Sequence, residues 1–154
     1  MIIKNKNIDT LHYSELYKES HSLYLSKSII KTIDFNNFDP LFEIVIENCI
    51  IENFFILSCW FKKGLIFRGN NVLNYIDYQM GGQNEFPIII TENIFNNFVN
   101  FFDCHFENDL EVQNNIFLKG TNLFGNLNAG SKNTFNGSVK SDFNIGNLTI
   151  DGNG

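Results

Sequence analysis

A short repeat in the middle of the chain constrains the fold more than any other feature. Asn, Cys or Gly recurs from Asn36 onward in steps of eleven or twelve residues. Two, six and eight residues after these ten anchors, 25 of 30 positions are apolar, whereas a 44% hydrophobic composition gives about 13. The chain is therefore an array of short structural units. The anchors are Asn36, Asn48, Cys59, Asn70, Gly82, Asn93, Cys104, Asn115, Asn126 and Gly137.

The spacing within each unit identifies it as a strand. Positions six and eight are two residues apart, and such residues share one face of a strand but lie on opposite sides of a helix. A unit of eleven residues cannot bury its own apolar face, so successive units must stack. Two units form a coil of about 22 residues, and residues 36–154 provide about five coils, or roughly 25 Å of solenoid.

The anchors fall where the chain bends between strands. Asn and Gly tolerate left-handed backbone, and aligned Asn side chains form hydrogen-bonded ladders. Eight anchors are predicted to be turn or ladder residues, namely Asn48, Cys59, Asn70, Gly82, Asn93, Cys104, Asn115 and Asn126.

One segment carries a family resemblance. Residues 102–106 (FDCHF) and 115–117 (NIF), with an echo at 59–61 (CWF), resemble pentapeptide-repeat proteins and related right-handed β-helices. The sequence departs from that family in its eleven-residue step and in its near-absence of alanine. The resemblance implies a coil architecture, and the rule for parallel crossovers gives its hand. The expected fold is an all-β, single right-handed parallel β-helix of about five coils.

The two ends differ from the repeat. Residues 1–28 are predicted to be a capping segment, with a short helix between Asp9 and Lys27 that covers the first coil, and residues 29–154 to be the β-helix. These two parts form one structural domain. The C-terminal coil has no such cover, so we expect end-to-end association into a homo-oligomer through it.

Composition restricts the functional classes. A net charge of -6 and a pI near 4.9 disfavour nucleic acid as a partner.

The start of the chain lacks the apolar core of a signal peptide and no apolar run reaches 18 residues, so we expect a cytoplasmic protein without a membrane span. The three cysteines have no CxxC spacing, and no metal or cofactor motif is found. The Asn-, Ile-, Phe- and Lys-rich usage indicates an AT-rich, bacterial or viral, genome.

The candidate partner-binding residues centre on the single tryptophan. Strand alternation places Trp60 outward among cationic side chains, and a one-residue insertion in the repeat near Met80 indicates a protruding loop. Trp and Arg are common interface hot spots, although partial burial of Trp60 is the alternative. The set comprises Trp60, Lys62, Lys63, Arg68, Met80 and Gln83.

These features predict a non-catalytic protein-binding module, such as an inhibitor, antitoxin or immunity protein that blocks a basic partner. A self-assembling structural β-helix is the first alternative. A small glycan-binding β-helix is the second, although strand phase places most aromatic side chains inside.

Overall fold

The computed structural model describes residues 1–16, 22–128 and 130–152. It is a parallel β-solenoid of about five turns with 3% helix, which confirms the all-β parallel architecture. The right-handed sense stays a prediction from the rule for parallel crossovers.

The first sheet runs along the length of the solenoid. Its seven strands, all parallel, are β1 (Ile2–Lys4), β3 (Leu23–Ser26), β5 (Ile44–Glu47), β7 (Leu65–Arg68), β10 (Ile88–Thr91), β14 (Leu110–Gln113) and β17 (Val139–Lys140). Five of them come from residues 29–154, in line with the five coils predicted there.

The second sheet has eight strands and divides after β6 into two branches, one that continues through β8 and one through β9. They are β2 (Asn7–His12), β4 (Ile29–Asp34), β6 (Ile50–Phe55), β8 (Asn71–Val72), β9 (Ile76–Asp77), β11 (Ile94–Phe95), β12 (Val99–Asn100) and β15 (Ile116–Phe117). A third, two-stranded sheet pairs β13 (His105–Phe106) with β16 (Thr134–Phe135). The solenoid therefore has two long faces and one short face.

Strand register gives the coil length directly. Ile44 pairs with Leu65, Leu65 with Ile88 and Ile88 with Leu110, so these coils contain 21, 23 and 22 residues. The predicted coil of about 22 residues is confirmed. The last coil is longer, because Leu110 pairs with Val139.

The interior is a column of apolar side chains with stacked aromatic rings. Phe54 stacks on Phe67, Phe67 on Phe95 and Phe95 on Phe117, with ring centroids 5.2, 6.2 and 4.9 Å apart. Between Phe54 and Leu123 the predicted inward positions are buried. They face inward because residues two apart on a strand share a face.

The predicted N-terminal helix is largely wrong. Helix α1 (Tyr13–Leu16) is a single turn, and strands β1, β2 and β3 pair in the same sheets as the rest of the solenoid. Leu11, Leu23 and Leu25 are buried strand residues, so their strand alternation prevails over the helical spacing. Residues 17–21 of the predicted helix lie outside the described residues.

The inward phase also fails at two places. Near the start of the repeat it slips by one residue, so Ile51 is buried and Ile50 is 44% exposed. In the last coil Val139 is 37% exposed, because no further described coil packs beneath it. Phe143 is exposed because it occupies a left-handed turn, and Ile145 is exposed because it aligns with the outward-facing Ile116. Within the described residues, no helix is long and apolar enough to cross a membrane.

Candidate protein-binding surface

One corner of the solenoid combines a left-handed turn with a buried polar ladder. Asn48, Gly69, Glu92, Asn114 and Phe143 have φ between 54° and 67°. The residue that follows each of them points inward and forms the ladder of Cys49, Asn70, Asn93, Asn115 and Asn144. Asn48 is thus a turn residue, and Cys49 occupies the ladder position.

The ladder satisfies the backbone groups of the bend. Asn93 Nδ2 donates to Phe67 O (2.8 Å) and to Asn115 Oδ1 (3.0 Å), while Asn93 Oδ1 accepts from both the backbone N–H and Nδ2 of Asn70. Because buried polar groups need partners, this corner is structural.

The remaining predicted turn residues lie at other corners. Cys59 and Cys104 are buried, and the missing side chain of Gly81 leaves space for the ring of Tyr78. Burial raises the pKa of both thiols, so they stay protonated and unreactive.

Gly82 forms a parallel bridge with His105. Asn126, by contrast, exchanges hydrogen bonds with Asp151 and Gly152 (2.6 and 2.7 Å). Neither residue belongs to the asparagine ladder.

Trp60 lies on the short face and is half-buried rather than fully exposed. Its Nε1 donates to Met80 O (3.1 Å), and Lys62 Nζ lies 5.5 Å from its ring centroid. Lys62 also pairs with Asp39 at 2.7 Å. The structure therefore brings Trp60, Lys62 and Met80 together, with Met80 48% exposed.

The other predicted residues are distributed over different surfaces. Arg68 lies on the first sheet, where it pairs with Glu47, which also accepts from Tyr24 Oη (2.8 Å). The Arg68 guanidinium lowers the pKa of Glu47. Gln83 donates its backbone N–H to His105 O on the short face.

The loops that lead into the first sheet form an edge that the sequence-based set mostly missed. We call residues 39–43, 62–64, 85–87 and 107–109 the acidic edge. They stack because the strands that follow them are in register. Glu85 N donates to Lys62 O (2.9 Å) and Asn108 Nδ2 donates to Glu85 O (2.8 Å), which joins three successive loops.

The acidic edge combines negative charge with exposed apolar side chains. Leu41 is 72% and Phe86 51% exposed. The edge holds five carboxylates and two lysines, so its formal charge is -3, half the net charge of the chain. Both lysines are already paired, since Lys62 binds Asp39 and Lys63 binds Glu85 while lying 5.2 Å above the Phe86 ring. The carboxylates are Asp39, Glu43, Glu85, Glu107 and Asp109.

The positions of the two prolines are a sequence signal for the acidic edge. The two prolines of the chain, Pro40 and Pro87, each adjoin one of the exposed residues, Leu41 or Phe86. Proline removes a backbone donor and ends a strand. An apolar residue beside such a break is not constrained to face the core.

The short face also holds a His–Asp–Thr group. His105 Nδ1 lies 2.8 Å from Thr134 Oγ1, but Nε2 is 3.5 Å from Asp103 Oδ1, which is beyond hydrogen-bond length. Thr134 is therefore the hydrogen-bond partner of the imidazole in this group. Among the described residues, no group of three or more His, Cys, Asp or Glu side chains could hold a metal ion.

Comparisons with family models, curated proteins and solved structures give no match for this chain.

Proposed function

We propose that this chain is a non-catalytic protein-binding β-solenoid that recognises a basic partner through its acidic edge. The observation that carries the proposal is the exposure of Phe86 and Leu41 within a strip of net charge -3. Large apolar side chains exposed beside a polar rim are typical of interaction sites. The carboxylates would steer a cationic surface and the two apolar side chains would anchor it.

The solenoid supplies the rigidity that this function needs. The loops of the edge are fixed by the strands that follow them. Each loop is hydrogen-bonded to the next, with Lys62 Nζ donating to Asp39 between the first two loops. A preformed surface loses little conformational entropy on binding. Trp60, Lys62 and Met80 lie beside the edge, because Lys62 belongs to both groups, and they extend the proposed contact.

An inhibitor or immunity-type role is the finer form of this proposal. It is supported by the compact acidic surface and by the resemblance to pentapeptide-repeat proteins, which include mimics of duplex DNA that bind topoisomerases.

The test is affinity capture of the host's proteins on the tagged chain, with mass spectrometry, at low and high salt. We expect a basic protein whose capture falls as salt rises. The double variant Leu41→Ala/Phe86→Ala should lose the capture. Leu127→Ala is the matched control, because Leu127 is also 72% exposed but lies in another loop. Equal capture by the double variant and the control would refute the proposed surface.

A self-assembling structural role is the second candidate. Strand β17 pairs with β14 alone among the described strands, and Phe143 and Ile145 beside it are 82% and 64% exposed. An open strand edge with exposed apolar side chains favours stacking of further coils. Concentration-dependent filaments in electron micrographs would support this role, and a species of fixed size at all concentrations would exclude it.

A further inference from the structure

Three outward aromatic rings of the solenoid each hold a lysine of the same chain. Each ring centroid lies between 4.7 and 5.5 Å from an ammonium nitrogen, and a carboxylate adjoins each ring. The chain therefore repeats one arrangement, in which an aromatic face and a carboxylate together hold a cation. The three groups are Tyr24 with Lys4 and Glu47, Trp60 with Lys62 and Asp39, and Phe86 with Lys63 and Glu85.

Phe55 has the aromatic face and the carboxylates of this arrangement but lacks the lysine. Its side chain is 41% exposed on the outer side of the second sheet. Strand register places Asp34 and Asp77 opposite it on the two neighbouring strands, each about 4.8 Å away along the solenoid. Within residues 1–16, 22–128 and 130–152, no lysine or arginine lies over the Phe55 ring or pairs with either carboxylate.

A groove of about 250 Å³ lies beside the Phe55 ring. Its walls are held in place, because Leu57 N donates to Asn36 Oδ1 (2.9 Å) and Tyr75 stacks on Phe98 with ring centroids 6.3 Å apart. The groove is therefore preformed, and its volume suits one small group rather than an extended chain segment. Three successive coils supply its lining, which consists of Asn36, Phe55, Leu57, Tyr75 and Asp77.

The negative charge beside the groove is not compensated by the side chains that orient it. Asp77 accepts from Asn100 Nδ2 (3.2 Å) and from Gln79 Nε2 (3.0 Å). Asp34 Oδ1 accepts from the backbone N–H of Asn36 (3.2 Å). All three donors are neutral, so the two carboxylates repel an anion and attract a cation.

We propose that this groove, which we call the Phe55 groove, binds the ammonium group of an organic cation. The ammonium group lies over the face of the Phe55 ring, its aliphatic substituents contact Leu57 and Tyr75, and Asp77 and Asp34 supply the countercharge. An organic ammonium group fits this lining better than a metal ion, because metal ions such as Ca²⁺ and Mg²⁺ require several oxygen ligands. The Phe55 groove contains no residue of the acidic edge, so this inference does not depend on the proposed function.

The test is a ligand titration followed by two-dimensional NMR of the backbone amides. Choline represents a free organic cation, and N-acetyl-lysine methylamide represents a protein side chain. The neutral isostere of choline, in which a tert-butyl group replaces the trimethylammonium group, is the control ligand. A pH of about 7.5 keeps His12, which is in register with Asp34, mostly uncharged.

We expect shifts confined to amides around the Phe55 groove, with a millimolar dissociation constant for the cations and binding of the neutral isostere about tenfold weaker or less. The cation that binds more tightly identifies the source of the ammonium group, a free molecule or a protein side chain. Equal affinity for choline and its neutral isostere, or shifts located elsewhere, would overturn the proposal.

Variants of the ring and of the carboxylate separate the two contributions. Phe55→Leu keeps the apolar contact but removes the aromatic face, and should weaken choline binding about tenfold, whereas Phe55→Tyr should retain it. Asp77→Asn should also weaken binding, because it removes charge at nearly constant shape. Circular dichroism verifies that each variant is folded.

The matched control variant is Phe86→Leu. Phe86 is 51% exposed and also adjoins a carboxylate, but Lys63 already occupies its ring. This variant should bind choline as tightly as the wild type does. A Phe55→Leu variant with wild-type affinity, or equal losses of affinity in Phe55→Leu and Phe86→Leu, would contradict the assignment of the site to Phe55.

Discussion

The buried asparagine ladder gives the sharpest test of how this solenoid is held together. Asn93 is 1% exposed and its side chain makes four hydrogen bonds that connect three successive coils. We consider the substitution Asn93→Ala, which removes all four bonds and adds no bulk.

The loss of stability in Asn93→Ala comes from the hydrogen bonds that no other group replaces. Asn115 Oδ1 still accepts from the Asn93 backbone N–H, and Asn70 Nδ2 still donates to Ile46 O. The backbone N–H of Asn70 loses its acceptor in a buried site, at a cost of about 1–3 kcal/mol, and the bond to Phe67 O adds about 1 kcal/mol. We expect the free energy of unfolding to fall by about 3 kcal/mol.

The assay is urea denaturation followed by circular dichroism, with linear extrapolation to water. Asn74→Ala is the control, because Asn74 makes the same kind of bond to Asn53 (2.9 Å) on the exposed surface. Its cost should stay below about 0.5 kcal/mol. Equal losses of stability in the two variants would refute the view that burial makes the ladder essential.

Three further predictions concern charge, packing and thiols. Arg68 lowers the pKa of Glu47, so this carboxylate stabilises the fold above its unfolded pKa and the benefit is lost as pH falls through the lower folded value. The free energy of unfolding of Glu47→Gln should therefore depend less on pH below about pH 4.5 than that of the wild type. Gly81→Ala should destabilise the fold by about 2 kcal/mol or more, because a Cβ would overlap the buried ring of Tyr78; a wild-type melting temperature would contradict this. The three buried cysteines should resist a thiol reagent until the protein is denatured, and rapid labelling of the native protein would show that they are accessible.

The repeat alone predicts the coil architecture because its period carries two independent signals. Apolar residues two apart indicate a strand, and recurrence at about 22 residues indicates parallel stacking. Asn70, Asn93 and Asn115 were predicted as ladder residues because left-handed turns and amide ladders both favour asparagine. These properties depend on local geometry that every coil repeats.

The sequence-based prediction of inward residues is wrong where the repeat shifts by one residue. The prediction of secondary structure is wrong where pairing with the next coil decides between a helix and a strand. Asn48 satisfies the pattern, yet the turn places Cys49 inward, since a shift of one residue exchanges the two faces of a strand. Residues 9–27 contain both helix-compatible and strand-compatible spacings, and only pairing with the next coil favours the strands.

Trp60 shows the same limit for the functional surface. Alternation places it outward, but the Met80 carbonyl and the Lys62 side chain cover it. Arg68, which is near Trp60 in sequence, pairs with Glu47 on another face. Two residues that are close in sequence within one coil can therefore lie on different faces of the solenoid.

The repeat predicts a stack of short parallel strands with an apolar interior, because periodicity is a property of the chain alone. Which outward residues become neighbours depends on how the coils pack. Leu41 and Phe86 lie on the same acidic edge, and Ile50, Asn71 and Ile94 align in one column, through the register of coils that are 21 to 23 residues apart. That register is set by packing between coils, so the surfaces of this protein exist only once the coils have stacked.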